Sequence, residues 1–92
     1  MIYIIKIFTE ELSGTGETVF TSDVEKDAFK IVENNIGDLY ECGSYPYAMI
    51  GAVDYGLYQV VDELKWYKWD NQKRQYLAID RPECLNHYAF MI

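Results

Sequence analysis

Ninety-two residues, half of them hydrophobic and a quarter charged, make one domain with its own core and not a disordered tail. Fifteen acids against eight bases give a formal charge of −7, unevenly spread: residues 1–64 carry −9 and residues 65–92 carry +2. This balance speaks against direct duplex-DNA binding, which needs several cations on one surface, and it suits a partner that is itself basic.

The chain opens on Ile2 to Phe8, a nearly unbroken apolar run that predicts a central strand. Thr9 to Thr18 holds Ser13-Gly14-Thr15-Gly16 and reads as a turn or loop. A phosphate-loop reading of its glycines fails, because no Lys-Ser/Thr pair follows and no helix starts directly after. Thr18 to Thr21 is a short second strand, paired with the first as a hairpin.

Ser22 to Asn35 is the best helix. Ser22 with Glu25 fits a capping box, and Val24, Ala28, Phe29, Ile31, Val32 and Ile36 form one apolar stripe. Gly37 is the expected stop, and no other helix longer than two turns is expected. Leu39 to Cys42 reads as a short strand and Gly43-Ser44 as a turn. Tyr45 to Val53 is a further strand, with Pro46 marking an edge or a bulge. Asp54-Tyr55-Gly56 turns the chain, and Leu57 to Glu63 has no clear assignment.

Leu64 to Ile79 is a β-hairpin. Two aromatic and β-branched runs, Lys65 to Trp69 and Gln75 to Ile79, flank the polar segment Asp70 to Arg74. Alternation puts Leu64, Trp66 and Lys68 on one face and Lys65, Tyr67 and Trp69 on the other, so each face receives an indole. Either the sheet is covered on both sides, or one face shows an aromatic patch to a partner. Arg81-Pro82-Glu83 closes the hairpin, and Tyr88 to Ile92 predicts a C-terminal strand. The fold class expected is α+β: one helix packed on an antiparallel sheet of about five or six strands.

Met1 to Phe8 lacks a basic n-region and Lys6 breaks its apolar run, so it does not read as a signal peptide, and no stretch has membrane-spanning length. The expectation is a cytoplasmic protein with no membrane contact, whose Cys42 and Cys84 are free thiols. An enzymatic reading pairs His87, the single histidine, as base with Cys42 or Cys84, with Gly43-Ser44 supplying amides to an oxyanion. Against this Cys–His hydrolase, free cysteines in small domains are usually packing residues. Cys84-x-x-His87 resembles half of a zinc site, but a structural zinc wants four ligands and only three soft ones exist. No cofactor and no metal are expected. A single-strand nucleic-acid reading stacks bases on Trp66, Tyr67, Trp69 and Tyr76, with Lys65, Lys68, Lys73 and Arg74 on phosphates; the net charge opposes it.

Gly43-Ser44-Tyr45-Pro46-Tyr47-Ala48-Met49-Ile50, Gly56-Leu57-Tyr58, Trp66-Tyr67-Lys68-Trp69-Asp70 and Arg81-Pro82-Glu83 together resemble small uncharacterised proteins of Gram-positive bacteria, their phages and mobile elements. The resemblance covers residues 39–83 and brings no site residues with it. At the level of class, a short, acidic, motif-free chain is similar to anti-CRISPR inhibitors. These features lead to a non-enzymatic acidic inhibitor that binds a larger protein, nucleic-acid-handling proteins with a basic groove among the candidates. The partner-binding candidates are Trp66, Tyr67, Trp69 and Tyr76, because nine tyrosines and two tryptophans suit recognition, and Glu10, Glu11 and Glu17 for charge. The alternative is a small-ligand or nucleotide-binding module built on the aromatic hairpin.

Overall fold

A computed structural model of the chain describes residues 1–12, 16–54, 60–85 and 90. Five strands, β1 (Ile2–Phe8), β2 (Glu17–Ser22), β3 (Tyr47–Val53), β4 (Asp62–Asp70) and β5 (Gln75–Ile79), form one antiparallel sheet in the order β2-β1-β3-β4-β5. One helix, α1 (Glu25–Glu33), packs on it, giving the α+β arrangement expected from the pattern. Among the described residues no helix is long and apolar enough to cross a membrane.

The unbroken apolar run of β1 has a direct cause in this arrangement. Ile4 to Phe8 are all buried, because β1 lies between β2 and β3 and both of its faces are covered. Ile5 and Ile7 meet Ala28 and Val32 of α1, together with Ala48, Ile50, Tyr67 and Tyr76. Ile4 and Phe8 point the other way, into a second cluster with Met49, Val53 and Trp66. An antiparallel sheet commonly leaves one face wet. Here Leu12, Val61, Leu85 and Phe90, from outside the strands, close the second face. Gly16 (φ +73) is required there, since a Cβ would run into the Phe8 ring.

The helix starts two residues later than the capping box predicts. The Ser22 hydroxyl oxygen accepts the Val24 amide at 3.0 Å, a local turn that stops short of the helix, and Val24 at the N-cap offers no side-chain cap. The stop is also displaced, from Gly37 to Asn35. Asn35 takes the left-handed conformation (φ 46). The Ile36 amide donates to the Ile31 carbonyl at 3.0 Å and the Asn35 amide to the Val32 carbonyl at 3.2 Å, which is a Schellman closure. Asn35 Oδ1 also accepts the Tyr40 amide at 3.2 Å. Asn35→Ala should therefore lower stability by about 1 kcal/mol, because alanine neither tolerates this φ nor replaces the bond. Asn35→Gly should cost less, and urea midpoints of the two variants check the order.

Two further expectations need correction. Residues 39–42 form no strand: Leu39 and Tyr40 lie in a turn and a short 3-10 segment covers Glu41–Gly43. Their apolar side chains cap the helix-side core and do not build an edge. Pro46 marks neither an edge nor a bulge. It sits just before β3, a central strand, and its carbonyl accepts the Trp69 amide at 2.8 Å. The strand expected over 88–92 lies outside the described residues apart from Phe90, whose carbonyl accepts the Val61 amide at 2.7 Å.

Candidate functional site

The β4–β5 hairpin forms as expected, and its turn chemistry is visible. Asp70 Oδ1 accepts the amides of Gln72 at 2.8 Å and Lys73 at 3.1 Å, and Arg74 (φ 53) completes the loop in the left-handed region. Trp69 and Tyr76 face each other across it, as do Trp66 and Ile79. The alternation holds, so the two indoles fall on opposite faces of the sheet.

Three of the four candidate rings are core residues, and this removes them from any binding patch. Trp66 is 3 % exposed and packs against Phe8 at 5.1 Å and Phe90 at 5.9 Å between ring centroids. Its Nε1 donates to Glu63 Oε1 at 2.7 Å, the same oxygen that accepts Arg81 Nε at 2.7 Å. Tyr67 and Tyr76 are equally buried. The Tyr67 hydroxyl donates to Glu33 Oε2 at 3.4 Å and the Tyr76 hydroxyl to the Tyr45 carbonyl at 2.6 Å. Burial first, then the neighbouring Glu33 carboxylate, pushes Tyr67 well above the usual tyrosine range; burial first, then Asp38, does the same to Tyr76. With these rings inaccessible, the base-stacking reading keeps only Trp69 of its four rings.

Trp69 is different. It is half-buried at the end of the helix-side cluster, stacked on Tyr40 (centroids 4.1 Å apart, planes 9° apart) and edge-on to Tyr76 at 5.2 Å. Asn71 Oδ1 accepts both the Trp69 Nε1 at 3.1 Å and the Tyr40 hydroxyl at 3.4 Å. Beside the stacked pair is a pocket of about 370 Å³ whose polar lining comes from Asn35, Asp38, Cys42 and Arg74. Tyr40 and Asn71 had no signal of their own in the sequence, because the pairing of Tyr40 with Trp69 depends on the chain's return across the sheet.

Glu10, Glu11 and Glu17 are exposed. Glu17 Oε2 accepts the Tyr45 hydroxyl at 3.0 Å, and this bond, with the charge of Glu17, raises the tyrosine above its ordinary value. Twelve of the fifteen carboxylates are exposed, and among the described residues the one ion pair is Glu63–Arg81. Of the eight bases, Lys6 is buried, while Lys26, Lys30, Lys65, Lys68, Lys73 and Arg74 are exposed, four of them on the hairpin. A groove of about 290 Å³ runs between β2 and the C-terminal turn of α1, with Val19, Phe20, Ile31 and Ile36 as apolar walls and Asp38 and Glu41 at its rim.

Cys42 and Cys84 are free and exposed. Cys42 has a positive φ (56) between Glu41 (48) and Gly43 (112), and its Sγ is 4.0 Å from Asp38 Oδ2. His87, the base in the Cys–His reading, lies outside the described residues. Among the described residues no group of three or more His, Cys, Asp or Glu is placed to hold a metal ion. Comparison with protein-family models, with curated proteins and with solved structures found no match.

Proposed function

We propose that this chain is a non-enzymatic acidic interaction protein, an inhibitor of the anti-CRISPR kind that phages and mobile elements encode. Its partner is a larger protein with a basic surface, such as a nucleic-acid groove. The observation that carries this reading is the carboxylate surface: twelve exposed acids, with a single ion pair among the described residues. Self-repulsion of that kind works against compactness, and a matching positive surface relieves it while steering encounter. Three of the hairpin rings being core residues shifts the weight of the reading from aromatic contacts to charge.

The test begins with affinity capture from the native host to identify the partner, followed by association kinetics at several salt concentrations. Exposed charges are screened beyond about 8 Å at physiological ionic strength. The on-rate should fall by roughly tenfold or more from low to high salt, and nucleic acid should compete. Changing Glu10, Glu11 and Glu17 together to Gln should slow association and leave thermal unfolding unchanged. Salt-independent association that nucleic acid does not disturb would remove the groove-filling mechanism.

The pocket beside Trp69 supports a second reading, a small-ligand or nucleotide-binding module. Two rings, an arginine and an acid converge there. Trp69 fluorescence during titration with nucleoside triphosphates decides it. A saturable change that Arg74→Ala removes would favour the ligand module.

A further inference from the structure

We infer that the outer edge of β2, with the groove beside it, receives an extended basic segment of the partner protein, which adds to the sheet as a further strand. The inference rests on the protein-binding reading above and names where and how that partner is held. Three observations converge on this edge.

First, β2 ends the sheet, so among the described residues its outer amides and carbonyls have no strand neighbour. Its sequence, Glu17-Thr-Val-Phe-Thr-Ser22, favours extended backbone and contains neither the lysine nor the proline that commonly blunts an edge. Second, the register with β1 slips between Ile5 and Lys6, which leaves Val19 without a partner opposite. Val19, 40 % exposed, turns into the groove, and Ile36, 46 % exposed, lines its other side. An added strand pairs its main chain with the edge while an alternate side chain drops into such a groove.

Third, charge selects the occupant. The groove lining carries Asp38 and Glu41 and no cation, and exposed Glu17 and Asp23 stand at the two ends of β2. A second copy of this chain would bring these carboxylates against each other, and nucleic acid would be repelled by them. The opposite edge, β5, follows exposed Lys73 and Arg74 and is followed by exposed Asp80 and by Arg81, which is paired with Glu63, so it carries less negative charge than β2 and a basic segment favours β2. The structure thus assigns β2 to a strand of alternating apolar and Lys/Arg residues.

The experiment titrates the 15N-labelled full chain with a blocked peptide of alternating lysine and valine. Control peptides carry N-methyl groups on alternate amides, or glutamate for lysine. Amide shifts should concentrate at residues 17–22 and 36–41, and each control should bind at least about tenfold more weakly, since main-chain pairing and charge are both needed. Val19→Lys with Ile36→Lys should weaken binding about as much, since both side chains are exposed and line the groove. Should that pair disturb the fold, Glu17→Gln with Asp38→Asn and Glu41→Gln gives the same test through charge. Shifts at β5, equal binding of the N-methylated peptide, or no binding at millimolar peptide would each overturn the assignment. Salt-sensitive binding without preference for β2 also overturns it, while leaving the charge-steering reading intact. That reading fails separately, on salt-independent association with the partner.

Discussion

Trp66→Ala should lower the stability of this domain by roughly 3–5 kcal/mol, whereas Trp69→Ala should leave a folded protein with a loss of about 1–2 kcal/mol. The two residues are three positions apart on one strand, and the difference comes from which face each one enters. Trp66 fills the layer between Phe8 and Phe90, on the face closed by residues from outside the strands. Its removal opens a cavity and takes one of two donors from Glu63 Oε1. Trp69 is half-buried at the margin, where its removal forfeits the Tyr40 stack and the edge contact with Tyr76 but opens the site to water. For a domain whose total stability is on the order of 5–15 kcal/mol, the first loss brings the chain near unfolding and the second does not. Urea unfolding of the two variants measures this directly; equal losses would show that Trp69 is as much a core residue as Trp66.

This contrast also marks how far the sequence could be read. Period-two alternation over Lys65 to Trp69 put the indoles on opposite faces, and the structure keeps them there, because alternation is a property of the extended backbone alone. The bounds of β1 were equally plain, since a strand covered on both sides is apolar at every position but Lys6. What could not be read was which face each cover belonged to. Leu12, Val61, Leu85 and Phe90 come from separate stretches, and their closing of the second face is a tertiary event with no local signature. Without that cover Trp66 looked like a candidate for a surface, as Tyr67 and Tyr76 did without α1 and its neighbours over the other face; with both covers all three are core.

The misread ends of α1 have a similar cause. Serine and asparagine both offer alternatives to the helix, and the sequence does not show which alternative the backbone takes. Ser22 spends its hydroxyl on a turn, and Asn35 ends the helix two residues before Gly37 could. At the candidate site the charge excess was legible as composition, but the groove beside β2 was not. It exists because Ile36 follows the Schellman turn and Val19 sits at a register slip, and neither feature is local to the residues that line it.

Lys6→Met should raise stability at neutral pH, because burial of most of the side chain disfavours its charged amine. Lys6 is 3 % exposed and lies on the second face with Ile4 and Phe8, across from Met49 on β3. It has no hydrogen bond or ion pair among the described residues, and burial lowers its pKa from 10.5. Methionine keeps most of the unbranched stem and removes the charge. The pH dependence has a definite sign. The unfolded amine holds its proton up to about 10.5, and the folded one releases it earlier, so the cost is complete below the folded value and fades as pH rises toward 10.5. The advantage of Lys6→Met should therefore be largest near pH 7 and shrink by pH 10. Tyr67 and Tyr76 act in the opposite sense: with folded values raised above 10, their contribution is complete below pH 10 and is lost above it. Urea unfolding of both proteins at pH 7 and pH 10 separates the two effects, because the tyrosine contribution is common to both chains and cancels in the difference. A variant less stable than the parent at pH 7 would show instead that the Lys6 amine has a partner that stabilises its charge.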